Sequence, residues 1–382
     1  MAGVVDEASC PFKYPLCISG DYHGNYVASI AAANYKDISD EDYNMMGVAY
    51  NANLHIADYD GPDGGNHHLD YWAAATNDAA KVGAIVQNNS WGFNYSIKDT
   101  QSKMEQGGYD SYVDVVVEFF TTTGMNDVNA KTVSDYLIAL DNFQQQGVVV
   151  YALSNYSSMN DADISASLPV LFPQLDEAWL TVGNIDFLGS QSIANSIIQV
   201  NMGGAEYNDP DNGIYHQSAP CGQTAAYCLV ADGTWVVGAA HINDGTHYHG
   251  ISLGTSFAAP QVSASIALLA EAFPHHTPEQ LVDRLLASAN NTFFSGAETD
   301  GEYGTTDFGN GITHQYSYKF GHGIPDLEAA LKPIGTPVVR MGSSLGNSQA
   351  YALHKTLLTP SVAMGDAWQR GLQGEQMAIY DS

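Results

Sequence analysis

Basic side chains are scarce in this chain of 382 residues, which has 12 lysines and arginines against 42 aspartates and glutamates. The formal net charge is therefore −30 at pH 7. A polyanion of this kind is repelled by nucleic acids and by anionic membrane surfaces, so we expect neither as a partner. The composition is typical of a soluble surface in a salty or extracellular setting.

Long apolar runs are missing as well. No stretch approaches the roughly 18 consecutive apolar residues that a membrane-spanning helix needs. The chain begins at Met1 without the basic and apolar regions of a signal peptide. We therefore expect that a leader has been removed or that an upstream segment is missing.

Cysteine is rare, with four residues in two close pairs, Cys10 with Cys17 and Cys221 with Cys228. Four cysteines allow three connectivities, and the spacing does not select one. Pairing within each close pair would form two small loops and would indicate an oxidising compartment. A zinc site is a poorer interpretation, because the spacings lack the short gap typical of cysteine ligands and the pairs lie far apart in the sequence.

Short apolar runs alternate with helical patterns through most of the chain. Strands are predicted at residues 4–5, 53–58, 84–86 and 148–152, and helices at residues 23–34, 72–82 and 256–273 and from residue 277. This alternation predicts an α/β fold, with a mainly parallel central sheet flanked by helices on both faces. Ligands bind such sheets beyond the carboxyl ends of the strands. Asp6, Ser90 and Asn155 each follow an apolar run, so we expect all three at that edge.

Two regions depart from the alternating pattern. About residues 94–133 are polar and show no clear strand, which predicts an insertion. After Lys332 and Pro333 the pattern loosens into glycine, serine and threonine with scattered apolar residues. We place a domain boundary there, with a main domain over residues 1–332 and a C-terminal extension over residues 333–382.

Three segments contain candidates for chemistry. Ser256 lies in Gly-Thr-Ser-Phe-Ala-Ala-Pro at the start of a small-residue helix, where free backbone N–H groups stabilise developing negative charge. His23 precedes a glycine, and Asn155 ends the segment Leu-Ser-Asn after an apolar strand. Each segment alone also has an ordinary structural interpretation, respectively a helix N-cap, a chance histidine and a turn.

Taken together, these segments resemble the subtilase family of serine peptidases. Residues 254–260 match the family's serine motif, residues 23–28 its histidine motif, and residues 4–6 the strand end that bears its aspartate. Asn155 stands where the family keeps its oxyanion asparagine, and residues 89–92 resemble the segment on which subtilases lay the substrate backbone. The order aspartate, histidine, serine is also that of the subtilase triad.

The resemblance implies a subtilisin-like three-layer fold and a secreted serine endopeptidase that works through an acyl-enzyme. In it, Ser256 is the nucleophile, His23 the general base and Asp6 the residue that orients His23. The Asn155 amide and the Ser256 backbone N–H bind the oxyanion. The residues implied for substrate binding are Ser90, Trp91, Gly92, Ala152, Leu153 and Ser154. Protein or peptide substrates are the expected partners, and no cofactor is required for the chemistry.

The chain also departs from the family pattern. Asp6 lies unusually close to His23 in the sequence, with Cys10 and Cys17 between them. Ser154 replaces a glycine of the presumed wall of the pocket for the residue before the cleaved bond, which should narrow that pocket.

The C-terminal sequence resembles one branch of the family. Residues 321–330 resemble the segment that closes the catalytic domain of autotransporter subtilases, and residues 346–381 resemble their link to an outer-membrane barrel. The stretch from Cys221 to Cys228 also resembles that branch. This implies a passenger at the cell surface or outside the cell, whose C-terminal barrel partner is absent from this chain.

Other interpretations stay open. The acidic, glycine-containing residues 58–63 and 298–307 are candidates for structural calcium, because calcium prefers oxygen ligands. The histidine pairs at residues 67–68, 247 and 249, and 275–276 are weaker metal candidates. The same fold would also suit an inactive passenger that acts in adhesion or binding, or an esterase with the same triad.

Overall fold

The computed structural model describes residues 23–34, 46–57, 68–187, 214–241, 247–295, 302–335, 338–341 and 349–352. The described helices are α1 (His23–Ala32), α2 (Leu69–Lys81), α3 (Ile97–Gln106), α4 (Tyr112–Thr122), α5 (Ala130–Gln144), α6 (Leu168–Leu171), α7 (Thr255–Ala272), α8 (Pro278–Ala287) and α9 (Leu327–Ala330). The described strands are β1 (Val86–Asn89), β2 (Val148–Ala152), β3 (Trp179–Phe187), β4 (Ile214–His216), β5 (Cys228–Asp232), β6 (Val236–His241), β7 (His247–Ser252), β8 (Tyr303–Asp307), β9 (Thr313–Ser317), β10 (Val338–Met341) and β11 (Gln349–Ala352). Asp6, Cys10, Cys17 and the strand expected at residues 4–5 lie outside the described residues.

The central sheet is mostly parallel. β1 pairs with β2, β2 with β3, and β3 with β5 in parallel, while β4 runs antiparallel to the end of β3. The chain passes from β1 to β2 through α3, α4 and α5, as a parallel connection requires a long crossover. The predicted α/β class is therefore confirmed.

β2 is buried at all five positions because helices cover both faces of the sheet. Val148 and Val150 belong to the same apolar cluster as α7 and α8, whereas Val149 and Tyr151 belong to the cluster that contains α2, α4 and α5. This alternation follows the period of two of a β-strand. A continuous apolar run is thus what a central strand covered on both faces requires.

The helix α7 lies at the centre of one face and contacts β1, β2, β3 and β5. Its inward side chains are small, and Ala258, Ala259 and Val262 are completely buried. Small side chains allow the helix backbone to lie close to the sheet. The predicted helix at residues 256–273 agrees with α7 to within one residue at each end.

The helix α8 begins as predicted from Thr277. The Thr277 side chain accepts from the backbone N–H of Gln280, the Gln280 side chain accepts from the N–H of Thr277, and Pro278 occupies the first turn. Leu281 and Leu285 are buried against α7 and the sheet.

Arg284 of α8 ties the end of the predicted main domain to the core. Its Nε donates to the Ala330 carbonyl at 2.6 Å and its Nη2 donates to the Lys332 carbonyl at 2.7 Å. Its guanidinium lies 3.8 Å from the ring centre of Phe273, a cation–π contact. These bonds end beside the boundary expected at residues 332–333, which stays a prediction. Beyond it, β10 and β11 pair with each other as antiparallel strands.

Several local predictions need correction. The buried strand expected at residues 84–86 is β1, but it begins only at Val86, and Ile85 before it is exposed. Residues 53–57 are exposed and form no strand. The region 94–133 contains α3, α4 and the start of α5, and α4 is not polar: Val116, Phe119 and Phe120 are buried in the core. Whether this region is an insertion stays a prediction.

The second cysteine pair forms a disulfide bond between Cys221 and Cys228, with 5.9 Å between the Cα atoms. It encloses a 3₁₀ turn that starts at Gly222, whose φ of +57° favours glycine. A side chain at Gly222 would also collide with the buried Asp161 carboxylate, which accepts from the N–H of Gln223 at 2.8 Å. Local pairing therefore holds for this pair.

None of the helices in the described ranges has the length and apolar character needed to cross a membrane.

His322 makes the stability of the fold depend on pH. It is completely buried, and burial lowers its pKa from 6.5 to about 3, with a further contribution from His314. Between these values the unfolded chain binds a proton that the folded chain does not, so stability falls as the pH falls. Asp163 acts in the opposite direction, because burial raises its pKa to about 7.

We therefore predict that His322→Gln will lower the slope of the free energy of unfolding against pH, between about pH 4 and pH 6, by up to about 1.4 kcal/mol per pH unit. Urea unfolding across this range measures the slope for the parent and the variant. His275→Gln is the control, because His275 is exposed, and its slope should equal that of the parent. An unchanged slope in His322→Gln would contradict the prediction.

Candidate active site

Ser256 lies in the first turn of α7, where the backbone N–H groups have no acceptor within the helix. The preceding Gly254 has a φ of +144°, a conformation that other residues rarely adopt. Its N–H donates to the Gly233 carbonyl at 2.8 Å, which fixes the entry of the chain into the helix. The glycine of the serine motif is therefore required by the sharp turn that presents Ser256.

Pro260 explains an unusual contact of the same turn. A proline has no N–H, so the carbonyl four residues earlier, that of Ser256, lacks its normal helical donor. The Ser90 hydroxyl supplies a donor to this carbonyl at 2.8 Å. In return, the Ser256 hydroxyl donates to the Ser90 carbonyl at 3.1 Å. This reciprocal pair joins the end of β1 to the start of α7.

Asn155 follows β2 and is exposed, and its side chain is fixed by Thr255. Its Oδ1 accepts from the Thr255 N–H at 2.8 Å and lies 3.0 Å from Thr255 Oγ1. Because a backbone N–H only donates, the atom that faces it is the oxygen, and Nδ2 is the other end of the amide. Thr255 Oγ1 also donates to the Leu153 carbonyl at 2.6 Å. Thr255 thus fixes the Asn155 side chain beside the turn that contains Ser256.

The helix α1 begins at His23 and is held in place by Tyr26. The Tyr26 hydroxyl lies within hydrogen-bond distance of the carbonyls of Val236 and Gly250. A side chain at Gly238 would lie only 2.2 Å from the Tyr26 ring, so glycine is required where β6 crosses it. The position of α1 against β6 and β7 is therefore fixed by a fully buried aromatic ring.

His23 lies beside the turn of the serine. Its ring centre is 5.6 Å from that of Phe257, the residue after Ser256, and Phe257 in turn packs against Tyr26 at 4.9 Å. Burial lowers the pKa of His23 below its usual value. The imidazole is therefore favoured in its neutral form, which accepts a proton at neutral pH.

Residues 90–92 and 152–154 run side by side beyond the paired ends of β1 and β2. Leu153 is buried and its N–H continues the pairing to the Val182 carbonyl at 2.9 Å. The Trp91 ring packs against Trp72 and Tyr151, with ring centres 4.2 and 5.3 Å away, so it contributes to the aromatic core. Ser90 and Asn155 therefore lie at the carboxyl edge of the sheet, as expected, and Trp91, Gly92, Ala152, Leu153 and Ser154 lie there with them.

Asp163 is a residue of this edge that sequence reasoning missed. It is completely buried, its Oδ2 accepts from the Ser154 N–H at 2.9 Å, and its Oδ1 accepts from the Ser165 N–H at 3.1 Å. A Cβ at Gly92 would lie 3.1 Å from Oδ1. Burial raises the pKa of Asp163 to about 7, against the opposing effect of its backbone donors. The available signal was an aspartate directly between the apolar Ala162 and Ile164.

Asn94 is the second missed residue. The Ser154 hydroxyl donates to Asn94 Oδ1 at 2.6 Å, and it also accepts from the Tyr156 N–H at 3.1 Å. Asn94 is exposed and follows no apolar run, so nothing in the sequence pattern distinguishes it from an ordinary loop residue.

The metal candidates stay without support in the residues described. In those ranges, no group of three or more histidine, cysteine, aspartate or glutamate side chains is arranged to hold a metal ion. Residues 58–63 lie outside the description, as do residues 298–301 of the second acidic segment.

A mostly parallel sheet with a buried serine at the start of a central helix, beside an anchored asparagine and a histidine, is an arrangement typical of serine hydrolases of the α/β class. The family model of the subtilases, peptidase S8, matches residues 17–318. The chain belongs to the subtilase family, and its fold is the subtilisin-like α/β fold.

Individual relatives are distant. An extracellular serine protease of Serratia marcescens is 24% identical in an alignment that covers 89% of this chain and 34% of that protein. The serotype-specific antigen 1 of Mannheimia haemolytica is 25% identical over 231 residues, which cover 59% of this chain and 20% of that protein. The chain thus spans about a third and about a fifth of the lengths of these relatives.

Solved structures are similar at lower identity. Fervidolysin from Fervidobacterium pennivorans, a keratinolytic enzyme related to subtilisin, is 22% identical with a TM-score of 0.47, and the match covers 83% of this chain and 37% of that one. The patellamide maturation protease is 18% identical with a TM-score of 0.47, and the match covers 81% of this chain and 83% of that one.

The reciprocal bond between Ser90 and Ser256 leads to a prediction about stability. Ser90→Ala removes the donor to a buried carbonyl, which should lower the free energy of unfolding by about 1–3 kcal/mol. In a Pro260→Ala background the alanine N–H can bond the same carbonyl, so the loss from Ser90→Ala should be clearly smaller. Urea unfolding of the four proteins of this cycle measures both losses.

Ser167→Ala is the matched control for that cycle, because Ser167 is completely buried and its hydroxyl has no hydrogen-bond partner among the described residues. Ser167→Ala should therefore change the free energy of unfolding only slightly. Equal losses from Ser90→Ala in both backgrounds would show that the Ser256 carbonyl does not depend on Ser90.

Proposed function

We propose that this chain is a secreted serine endopeptidase that cleaves peptide bonds through an acyl-enzyme. The observation that carries the proposal is the shared turn at the start of α7, where Thr255 anchors Asn155 beside Ser256. Membership of the subtilase family supports the same reaction. A binding protein would have no need of an anchored amide next to a buried serine at a helix N-terminus.

In the proposed reaction the Ser256 Oγ attacks the carbonyl carbon of the substrate, and His23 accepts the hydroxyl proton. His23 then gives this proton to the nitrogen of the departing amine as the peptide bond breaks. Water attacks the remaining ester, again with His23 as the base, and releases the acid and the free Ser256 hydroxyl. The lowered pKa of His23 favours the neutral imidazole that this sequence of steps needs at its start.

Negative charge develops on the carbonyl oxygen in both tetrahedral intermediates. We assign its stabilisation to Asn155 Nδ2 and to the backbone N–H of Ser256. The bonds of Asn155 Oδ1 to Thr255 support this role, because they fix the amide before the substrate arrives. Asp6, from its place in the sequence, is proposed to orient His23 and to stabilise the imidazolium.

An extended substrate would lie along residues 90–92 and 152–154, bound by backbone groups in the manner of an added strand. Ser90 and Gly92 would supply backbone groups on one side, and Ala152, Leu153 and Ser154 would form the other side. The partners are protein or peptide substrates, and the chemistry as proposed needs no cofactor. Structural calcium remains a proposal for the acidic segments.

We propose that the protein works outside the cell or at its surface. The match to an extracellular protease, the Cys221–Cys228 disulfide and the net charge of −30 support this location. The similarity of residues 321–330 and of the C-terminal extension to autotransporter subtilases favours the passenger part of an autotransporter.

Hydrolysis of casein and labelling by a fluorophosphonate probe test the proposal together. We expect the parent to cleave casein and to be labelled, and Ser256→Ala to lose both properties. Ser265→Ala is the matched control, since it removes another buried hydroxyl from α7 that donates to the Gln261 carbonyl within the same helix, and it should keep both properties. A folded parent that is neither labelled nor active would favour the inactive binding passenger. Turnover of simple esters without peptide cleavage would favour an esterase.

Asn155→Ala should lower kcat by about 100- to 1,000-fold and change KM little, because the amide meets the oxyanion only as it forms. Steady-state kinetics with a peptide amide substrate separate the two constants. Asn160→Ala, an exposed asparagine in the same loop, is the control and should leave both unchanged. An unaltered kcat in Asn155→Ala would remove this residue from the oxyanion site.

A further inference from the structure

The opening beside Ser256 determines which side chain can precede the cleaved bond. In the proposed reaction, on which this inference rests, the carbonyl carbon lies at Ser256 Oγ and its oxygen lies at Asn155. The α-carbon of the residue before the cleaved bond is attached directly to that carbonyl carbon, so its side chain has to enter the nearest opening. The Ser90 carbonyl is 3.1 Å from Ser256 Oγ, and Asn155 directly follows Ser154. The nearest opening is therefore the cleft between residues 90–94 and residues 152–154.

The mouth of this cleft is bridged by a hydrogen bond between its two walls. The Ser154 hydroxyl donates to Asn94 Oδ1 at 2.6 Å, and Ser154 is only 5% exposed. The N–H of Tyr156 bonds to the same hydroxyl oxygen, which fixes the rotamer of Ser154. A large side chain could enter only if this bridge broke and Asn94 moved away.

The floor of the cleft is occupied by the Asp163 carboxyl group. One of its oxygens accepts from the Ser154 N–H, and the other packs against Gly92, where even a Cβ would lie at 3.1 Å. The same carboxyl accepts from the N–H groups of Ser165 and Ala166, so it is held from three sides. Asp163 therefore contacts both walls and occupies space between Gly92 and Ser154.

Backbone pairing fixes this floor in place. The Ile97 N–H donates to the Ala162 carbonyl at 2.9 Å, and the Ile164 N–H donates to the Tyr95 carbonyl at 3.0 Å. Ala162 and Ile164, on either side of Asp163, are thus bonded to the chain that follows residues 90–94. Widening the cleft would require breaking these backbone bonds as well as the bridge.

We propose that the bridge between Ser154 and Asn94, above the buried Asp163, restricts cleavage to peptide bonds that follow a small side chain, namely glycine, alanine or serine. Large apolar side chains are excluded by volume. Acidic side chains such as glutamate are excluded by the same lack of volume. Asn94 and Ser154 are specificity-determining residues in this scheme, and Asp163 is a positioning residue.

A series of acetylated tetrapeptide coumarin amides tests the proposal, with alanine, leucine, phenylalanine or glutamate as the last residue and the other three positions constant. For the parent, kcat/KM with alanine should exceed that with phenylalanine by at least about tenfold. Asn94→Ala and Ser154→Gly should each raise the phenylalanine-to-alanine ratio by about tenfold, because both remove the bridge. Gln145→Ala is the matched control, since it removes an exposed amide that bonds to Glu177 near the opposite edge of the sheet, and it should keep the parental ratio.

The outcomes separate this proposal from the proposed function. A parent that is labelled by the fluorophosphonate and prefers phenylalanine or leucine overturns the small-residue proposal and leaves the peptidase intact. The same holds if neither Asn94→Ala nor Ser154→Gly changes the ratio. A parent that is neither labelled nor active on any substrate overturns the proposed function and this inference with it.

Discussion

The site depends on the way the first turn of α7 is held between two strand ends. Ser90 at the end of β1 exchanges two hydrogen bonds with Ser256, and Asn155 beyond β2 accepts from Thr255. Pro260 makes the first of these links necessary, because it deprives the Ser256 carbonyl of its helical donor. Pro260 thus removes one hydrogen bond of the helix, and the Ser256 carbonyl bonds to Ser90 at the end of β1 instead. The oxyanion site and the nucleophile proposed for this chain are consequences of that single junction.

Local sequence patterns predicted most elements of the fold and the central residues of the candidate site. The apolar run of β2, the small residues of α7 and the capping box at Thr277 each obey a local rule, and each was found where predicted. The serine, histidine and asparagine segments were recognisable because their chemistry needs particular residue types at a helix start or a strand end. Whether these residues perform the roles assigned to them stays a prediction.

The sequence could not predict the contacts between segments that lie far apart along the chain. Asn94 and Ser154 are 60 positions apart, and only the pairing of β1 with β2 brings their loops together. The region 94–133 looked polar because its charged residues lie on the outer faces of α3 and α4, while the inner face of α4 joins the core. The strand expected at residues 53–58 failed for the converse reason, since Leu54 and Ile56 are apolar but lie exposed. Local pattern does not report which face of an element finds a partner.

The burial of Arg284 has a consequence for how copies of the chain meet in solution. This guanidinium is 6% exposed and is satisfied by two carbonyl oxygens and an aromatic ring, so one of only 12 basic side chains is withdrawn from the surface. The remaining cations face 42 carboxylates. Two molecules therefore approach each other against a repulsion of like charges, whose range shrinks from about 30 Å at 0.01 M salt to about 8 Å at physiological ionic strength. At low salt concentration this repulsion keeps the molecules apart. As the salt concentration rises, several copies can bind close together on one substrate more easily.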